Sequence, residues 1–256
     1  MRTMAHLKHL LLLLWVGVTV SSVVNLHKRI FNGSTCEKEE RHYHVKLIGK
    51  NKKGSYLCGG SLIHKNWVLT AAHCGGDGST IEAFLGIHQG PVKVVKVKTQ
   101  NIFYTKILKF IESKKDIMLL KLDTPSDITP VDLPDCANPP ELKETVRVAG
   151  YGEYTLDKKT GKTTADIPAT LQCANMHVDK CACPIDSFCF FWPSSSRMCL
   201  REPNVDVCSG DSGGGVIYNN KIYGVIVGGD ERVCRAPAIA LKVCSYIDWI
   251  HKTIQT

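Results

Sequence analysis

The chain has 256 residues, enough to bury one large core or two small ones, and its 44% hydrophobic and 22% charged residues suit a folded domain. Half of its formal charge of +8 lies at the N-terminus: Arg2, Lys8, Lys28 and Arg29 precede residue 30 and no acid does, so without them 28 basic residues face 24 acidic ones. The remaining +4 is too weak a field to imply nucleic acid, and no basic motif interleaved with aromatics supports such binding.

The first 22 residues, MRTMAHLKHLLLLLWVGVTVSS, have a basic start, an apolar run from Leu10 to Val20 and small residues at Ser21 and Ser22. That is the form of a cleaved signal peptide, and the apolar run is shorter than the roughly 20 residues a membrane span needs. No later stretch is apolar enough to span. In an exported chain, twelve cysteines predict a disulfide framework, ranked above a zinc site built from Cys181, Cys183, Cys189 and Cys199. Beyond residue 30 come short apolar or alternating runs between Gly, Asn, Asp and Pro clusters: GGSLIHKNWVLTAAH, VKVVKVK and DIMLLKL first, ETVRVAG and KIYGVIVGG later. These predict the strands of an all-β sandwich or barrel. Between the two groups, CANPPELKE with Pro139 and Pro140 is the candidate linker. One helix is predicted, at SYIDWIHKTI, where Ser245 and Asp248 have capping-box spacing and Ile247, Ile250 and Ile254 share a face.

Three short motifs carry chemistry. DVCSGDSGGGV, residues 206–216, sets Asp211 and Ser212 in a run of glycines; LTAAHC contains His73; DIMLLKL begins at Asp116. Singly, each has a plain explanation: a tight turn, a hydrogen-bonded core histidine, a turn or capping carboxylate. A serine hydroxyl, however, is a weak nucleophile until a base takes its proton, and a carboxylate fixes that base's tautomer. With 43 residues from His73 to Asp116 and 96 from there to Ser212, the order His, Asp, Ser with these flanks resembles the chymotrypsin-like serine proteases, the trypsin branch in particular, over nearly all of residues 30–256.

The resemblance implies two antiparallel six-stranded β-barrels packed together, the N-terminal one ending at about 138, followed by a short C-terminal helix. It makes Ser212 the nucleophile, His73 the general base and then acid, and Asp116 the residue that orients the imidazole. The backbone N–H groups of Gly210 and Ser212 form the oxyanion hole, where one donor is worth about 3 kcal/mol. Residues 23–29 become a short activation propeptide, cut after Arg29 so that the new amine of Ile30 pairs with Asp211. Phe31 and Asn32 depart from the family pattern after the cut, and Asn32-Gly33-Ser34 is a glycosylation sequon. Disulfides are implied between Cys58 and Cys74, Cys36 and Cys173, Cys136 and Cys244, and Cys208 and Cys234; Cys199 is left to one of Cys181, Cys183 and Cys189. A further family bridge is missing at both ends, where Val146 and Tyr218 stand.

Asp206 occupies the pocket-floor position whose acid receives Arg or Lys. Around it the walls depart from the family: Val227, Gly228 and Gly229 replace Ser-Trp-Gly, Ala238 replaces a glycine, and Gly215 replaces a proline. Ile87 stands where calcium-binding members carry an acid, so no metal and no other cofactor is expected. The implied product is a monomeric, secreted endopeptidase, extracellular or stored in a granule, that meets polypeptide substrates, an activating protease and protein inhibitors. The competing possibility is a catalytically weak protease-like binding protein with an altered pocket; a disulfide-rich structural module fits the motif spacing poorly. Lysines 93, 96, 98, 106, 109, 114 and 115 form a solvated strand face or a contact for sulfated glycans.

Overall fold

The computed structural model describes residues 30–52, 54–75, 79–88, 90–108, 111–152, 155–156, 163–164, 170–181, 194–229 and 236–255, without the side chains of 105–114, 155–156, 163–164 and 194. The signal peptide and propeptide expected over 1–29, Arg29 included, lie outside these residues, as do Lys109, Cys183, Cys189 and Cys234.

Among the described residues, fifteen strands run along the chain. After β1 (Ser34–Thr35) come β2 (His44–Asn51), β3 (Gly54–His64), β4 (Trp67–Thr70), β5 (Thr80–Leu85), β6 (Lys93–Leu108) and β7 (Ile111–Leu122). The last six of these close into an antiparallel barrel in the order β2-β3-β4-β7-β6-β5. The alternating runs form strands because period-2 patterning buries one face: in β5, Ile81, Ala83 and Leu85 are buried while the residues between them face outward. β4 and residues 117–120 of β7 are buried throughout, which is why their sequences read as continuous apolar runs.

The second barrel uses β8 (Thr145–Gly150), β11 (Gln172–Asp179), β12 (Arg197–Arg201), β13 (Gly215–Tyr218), β14 (Lys221–Gly228) and β15 (Ala238–Lys242). Its ring closes as β8 pairs with both β11 and β13. A small hairpin, β9 (Thr155–Leu156) with β10 (Thr163–Thr164), stands apart. β13 and β14 are joined through Asn219 and Asn220, both at positive φ (46° and 61°), the conformation a two-residue hairpin needs and asparagine tolerates. The chain's entry belongs to this second barrel: β1 pairs with β11, and Ile30 is fully buried in a cluster with Val146, Val148 and Val216.

The C-terminal helix α1 (Ile247–Ile254) packs on the first barrel, with the Phe103 ring edge-on to Tyr246 and Trp249 at 5.2 and 5.4 Å. The Ser245–Asp248 capping box does not form. Ser245 lies inside a preceding 3₁₀ turn (Val243–Tyr246), so Tyr246 takes the N-cap position without a side-chain cap; Asp248 still favours the first turn through the helix dipole.

Disulfides join Cys36 to Cys173, Cys58 to Cys74, Cys136 to Cys244 and Cys181 to Cys199. Cys181 is thus the partner of Cys199, and the partner expected for Cys208 lies outside the described residues. Where the further bridge is missing, Val146 is buried in the core and Tyr218 donates its hydroxyl to Glu144 Oε1 at 2.6 Å, its ring edge-on to Tyr223.

Candidate active site

His73 sits in a single 3₁₀ turn (Ala72–Cys74) directly after β4, and the Cys58–Cys74 disulfide ties that turn to β3. β4 pairs with β7 so that Thr70 faces Met118, which brings Asp116 level with the turn. Asp116 then grips the residue twice. Oδ1 accepts the His73 backbone N–H at 2.8 Å, and Oδ2 lies 2.8 Å from Nδ1. Because a carboxylate only accepts, Nδ1 must carry the proton, leaving Nε2 of the neutral ring free to take one. The imidazole side chain is 44% exposed and Asp116 only 16%, so the base faces solvent while its orienting carboxylate is largely shielded.

Ser212 is half-buried, and its backbone is anchored to the first barrel beside that turn. Its carbonyl accepts the Gly59 N–H at 2.7 Å and lies 3.6 Å from Cys74 Sγ. The neighbouring Gly213 has φ +85°, and a Cβ there would strike Thr70 Oγ1 and the Gly59 carbonyl. The glycine run is therefore needed both for its dihedral and for the close approach of two barrels. Among the described residues no protein acceptor takes the backbone N–H of Gly210 or Ser212.

Asp211 is fully buried, holding the Gly152 N–H on Oδ1 at 2.7 Å and the Cys208 N–H on Oδ2 at 2.8 Å. Burial, which outweighs those two hydrogen bonds and is reinforced by the Asp206 carboxylate, pushes its pKa up to about 7. Asp206 is 2% exposed and accepts the Val207 N–H at 2.8 Å. Its backbone pairs with Phe31 in an antiparallel bridge, which links the chain's entry to Asp206. Val227 and Ala238 are buried. A Cβ on Gly229 would meet Val207 Cγ2 at 3.7 Å, whereas one on Gly228 would meet nothing within 4 Å. Asn32 is exposed and its amide donates to the Asn204 carbonyl at 2.6 Å.

These positions are of one kind with a known family. The family model described as Trypsin matches residues 30–250. The chain belongs to the trypsin family.

Trypsin-family relatives in snakes cover most of it. "Serine protease sp-Eoc49" of Echis ocellatus is 33% identical over 88% of this chain and 87% of its own length. "Thrombin-like enzyme gyroxin B2.1" of Crotalus durissus terrificus is 34% identical over 88% of this chain and 96% of its own. A solved structure described as "Structure of GrC" is 25% identical, superposes with a TM-score of 0.72, and covers 88% of this chain and 99% of that one. The chain is a trypsin-family serine endopeptidase.

Sequence reasoning missed part of this trypsin-family site. Gly150 and Gly152 wall the Asp211 carboxyl, and a Cβ on either would overlap it; the only sequence signal was the VAGYG spacing. It also missed His44, which is 3% exposed and packs against Tyr151 at 5.7 Å. Its ring lies 3.3 Å from where a Cβ on Gly59 would stand, directly behind the segment that holds Ser212. Burial first, then the charges of Arg41 and His88, pushes its pKa down to about 3.

Proposed function

We propose that this endopeptidase is exported, is held inactive until the bond after Arg29 is cut, and then hydrolyses peptide bonds after Arg or Lys through an acyl-enzyme. The observation that carries the mechanism is the double grip of Asp116 on His73 beside the anchored Ser212. His73 Nε2 takes the proton of Ser212 Oγ as that oxygen attacks the scissile carbonyl, and the imidazolium so formed is stabilised by Asp116. The N–H groups of Gly210 and Ser212 receive the oxyanion, and His73 returns its proton to the leaving amine. Water then repeats the sequence on the ester.

Asp206 supports the P1 assignment, because a carboxylate only 2% exposed attracts an arriving cation more strongly than one in open solvent. Ala238 narrows the slot by a methyl and Gly228 leaves a wall open, so catalytic efficiency is lower than in a trypsin with the usual residues there. The zymogen switch rests on Asp211, which among the described residues faces no cation until an amine is created at Ile30. Polypeptides are the substrates, and an activating protease and protein inhibitors are the partners; among the described residues no helix is long and apolar enough to cross a membrane.

A fluorophosphonate probe and a P1-randomised peptide library test this directly. The cut protein labels at Ser212 and prefers Arg or Lys; Ser212→Ala loses the label, the Arg29→Gln form resists activation, and Asp206→Ser loses basic substrates far more than apolar ones. A wild-type preference for Phe, Leu or Ala would withdraw the role of Asp206. Failure of the cut protein to label would instead establish the weak, protease-like binder.

A further inference from the structure

The outer face of the first barrel carries a groove of about 730 Å³ that the peptidase chemistry does not use, running across β2, β5 and β6. Strand register decides what stands in it. Lys50 lies opposite Thr80, Ile48 opposite Glu82, and Glu82 opposite Lys96, so Lys50, Glu82 and Lys96 share one face; the register of β6 shifts between Val97 and Thr99, and Lys98 at that bulge also lines the groove. The acid on this face is already engaged, with Lys50 Nζ 3.6 Å from Glu82 Oε2. Lys96 and Lys98 are exposed and, among the described residues, meet no carboxylate within 4 Å. Among the described residues, then, the groove carries three ammonium groups against the one carboxylate of Glu82. Apolar side chains flank them along the same strand: Val94 is 52% exposed on one side, and Ile102 and Tyr104, the latter 49% exposed, line the other end.

The groove also reaches the His73 turn. Gln100, which lines it, donates to the Ser79 carbonyl at 3.2 Å, and its side-chain oxygen stands against Gly75, the residue after Cys74. Through Gln100 the groove adjoins the residue that follows the His73 turn. From Val94 to Tyr104 the strand spans about 30 Å, the reach of an extended segment of roughly nine residues.

We propose that this groove is an accessory docking site for an extended acidic segment of a polypeptide substrate or inhibitor, with carboxylates over Lys96 and Lys98 and apolar side chains over Val94, Ile102 and Tyr104. Charge complementarity selects an anion, and the apolar flanks select a peptide over a sulfated glycan, which has no apolar groups to cover them. The effect on cleavage rests on the endopeptidase mechanism above; the binding itself does not.

The experiment uses the full chain as Ser212→Ala and a fluorescent peptide of alternating Asp or Glu with Phe or Ile, free of Arg and Lys, read by anisotropy. Saturable binding is expected, weakening about tenfold in Lys96→Glu/Lys98→Glu and in the Asn/Gln version of the peptide, and weakening as salt is raised. Lys252→Glu, on the C-terminal helix, leaves it unchanged. Fusing the acidic segment to a cleavable Arg peptide lowers KM in the active enzyme, a gain that Lys96→Glu/Lys98→Glu abolishes while hydrolysis of the short, unfused peptide stays the same. Equal binding of the Asn/Gln peptide, or indifference to the lysine reversals, overturns the proposal. So does binding of a heparin oligosaccharide in place of the peptide, which would reassign the lysines to a glycan. Failure of the short peptide to be cleaved, with anisotropy intact, counts against the peptidase mechanism alone.

Discussion

Replacing Asp211 by asparagine should weaken the uncut chain in acid, where a backbone N–H loses its acceptor, and shift the balance in favour of asparagine as the pH rises. Buried and held by two backbone N–H groups, the carboxyl has its pKa raised from an ordinary 3.8 to about 7. The unfolded chain therefore gives up this proton near pH 3.8 while the folded chain keeps it to about 7. Stability from the group is fully present below the lower value and is lost as pH rises through the upper one. At about 1.36 kcal/mol for each pKa unit, the charged, unpaired Asp211 costs the folded state up to about 4 kcal/mol at alkaline pH. Asparagine escapes that cost at every pH, but its amide nitrogen cannot accept the second backbone N–H, which costs about 1–3 kcal/mol throughout. Urea unfolding followed by tryptophan fluorescence, in Arg29→Gln/Ser212→Ala protein so that nothing is cut or digested, should show Asp211→Asn less stable than its parent near pH 4 and the difference shifted in its favour by several kcal/mol near pH 8. Once the chain is cut, that shift should be lost at about pH 7, because the Ile30 amine is then a charged partner for the carboxylate. A gap between the two proteins that is the same at both pH values would refute burial as the cause, and with it the electrostatic basis of the zymogen switch.

Three further outcomes are expected. His44, held neutral with its pKa near 3, is protonated on unfolding below about pH 6.5, so stability should fall as pH drops from there towards 3, and His44→Gln should flatten that acid limb in the same unfolding assay. Gly150→Ala places a methyl within 2.7 Å of Asp211 Cγ; a displacement of about 1 Å in the adjoining Ser212 costs roughly 100-fold in kcat/KM, with fluorophosphonate labelling slowed in parallel. Tyr223→Phe removes the buried hydroxyl that donates to the carbonyls of Asp135 and Asn138, each at 3.2 Å, and should lower unfolding stability by about 1 kcal/mol with activity retained.

The sequence by itself determined the strand content, the chemistry-bearing residues and the order in which they occur. The VKVVKVK run of β6 and the unbroken apolar run in β7 were legible because burial acts on each residue through a period set by the backbone, whereas β5 was not singled out. His73, Asp116 and Ser212 could be singled out as candidates because acyl transfer tolerates few residue types, and their flanks travel with them. What only the tertiary structure decided concerns relations between residues far apart in the chain. The grip of Asp116 on His73 depends on β4 and β7 pairing in one register. The walls that Gly150 and Gly152 form around Asp211 lie 59 or more residues from it, where no local pattern reports the approach. Cys181 was separated from its two rivals only by where β11 and β12 come together. The failed capping box at Ser245 shows tertiary packing overriding a local signal, since the C-terminal turn is wound as 3₁₀ before α1 begins. The lysines of β6 could be counted in the sequence, but their face could not. A one-residue change of register would turn Lys96 to the other side of the sheet, so the face on which these lysines stand is decided only once three strands have closed side by side.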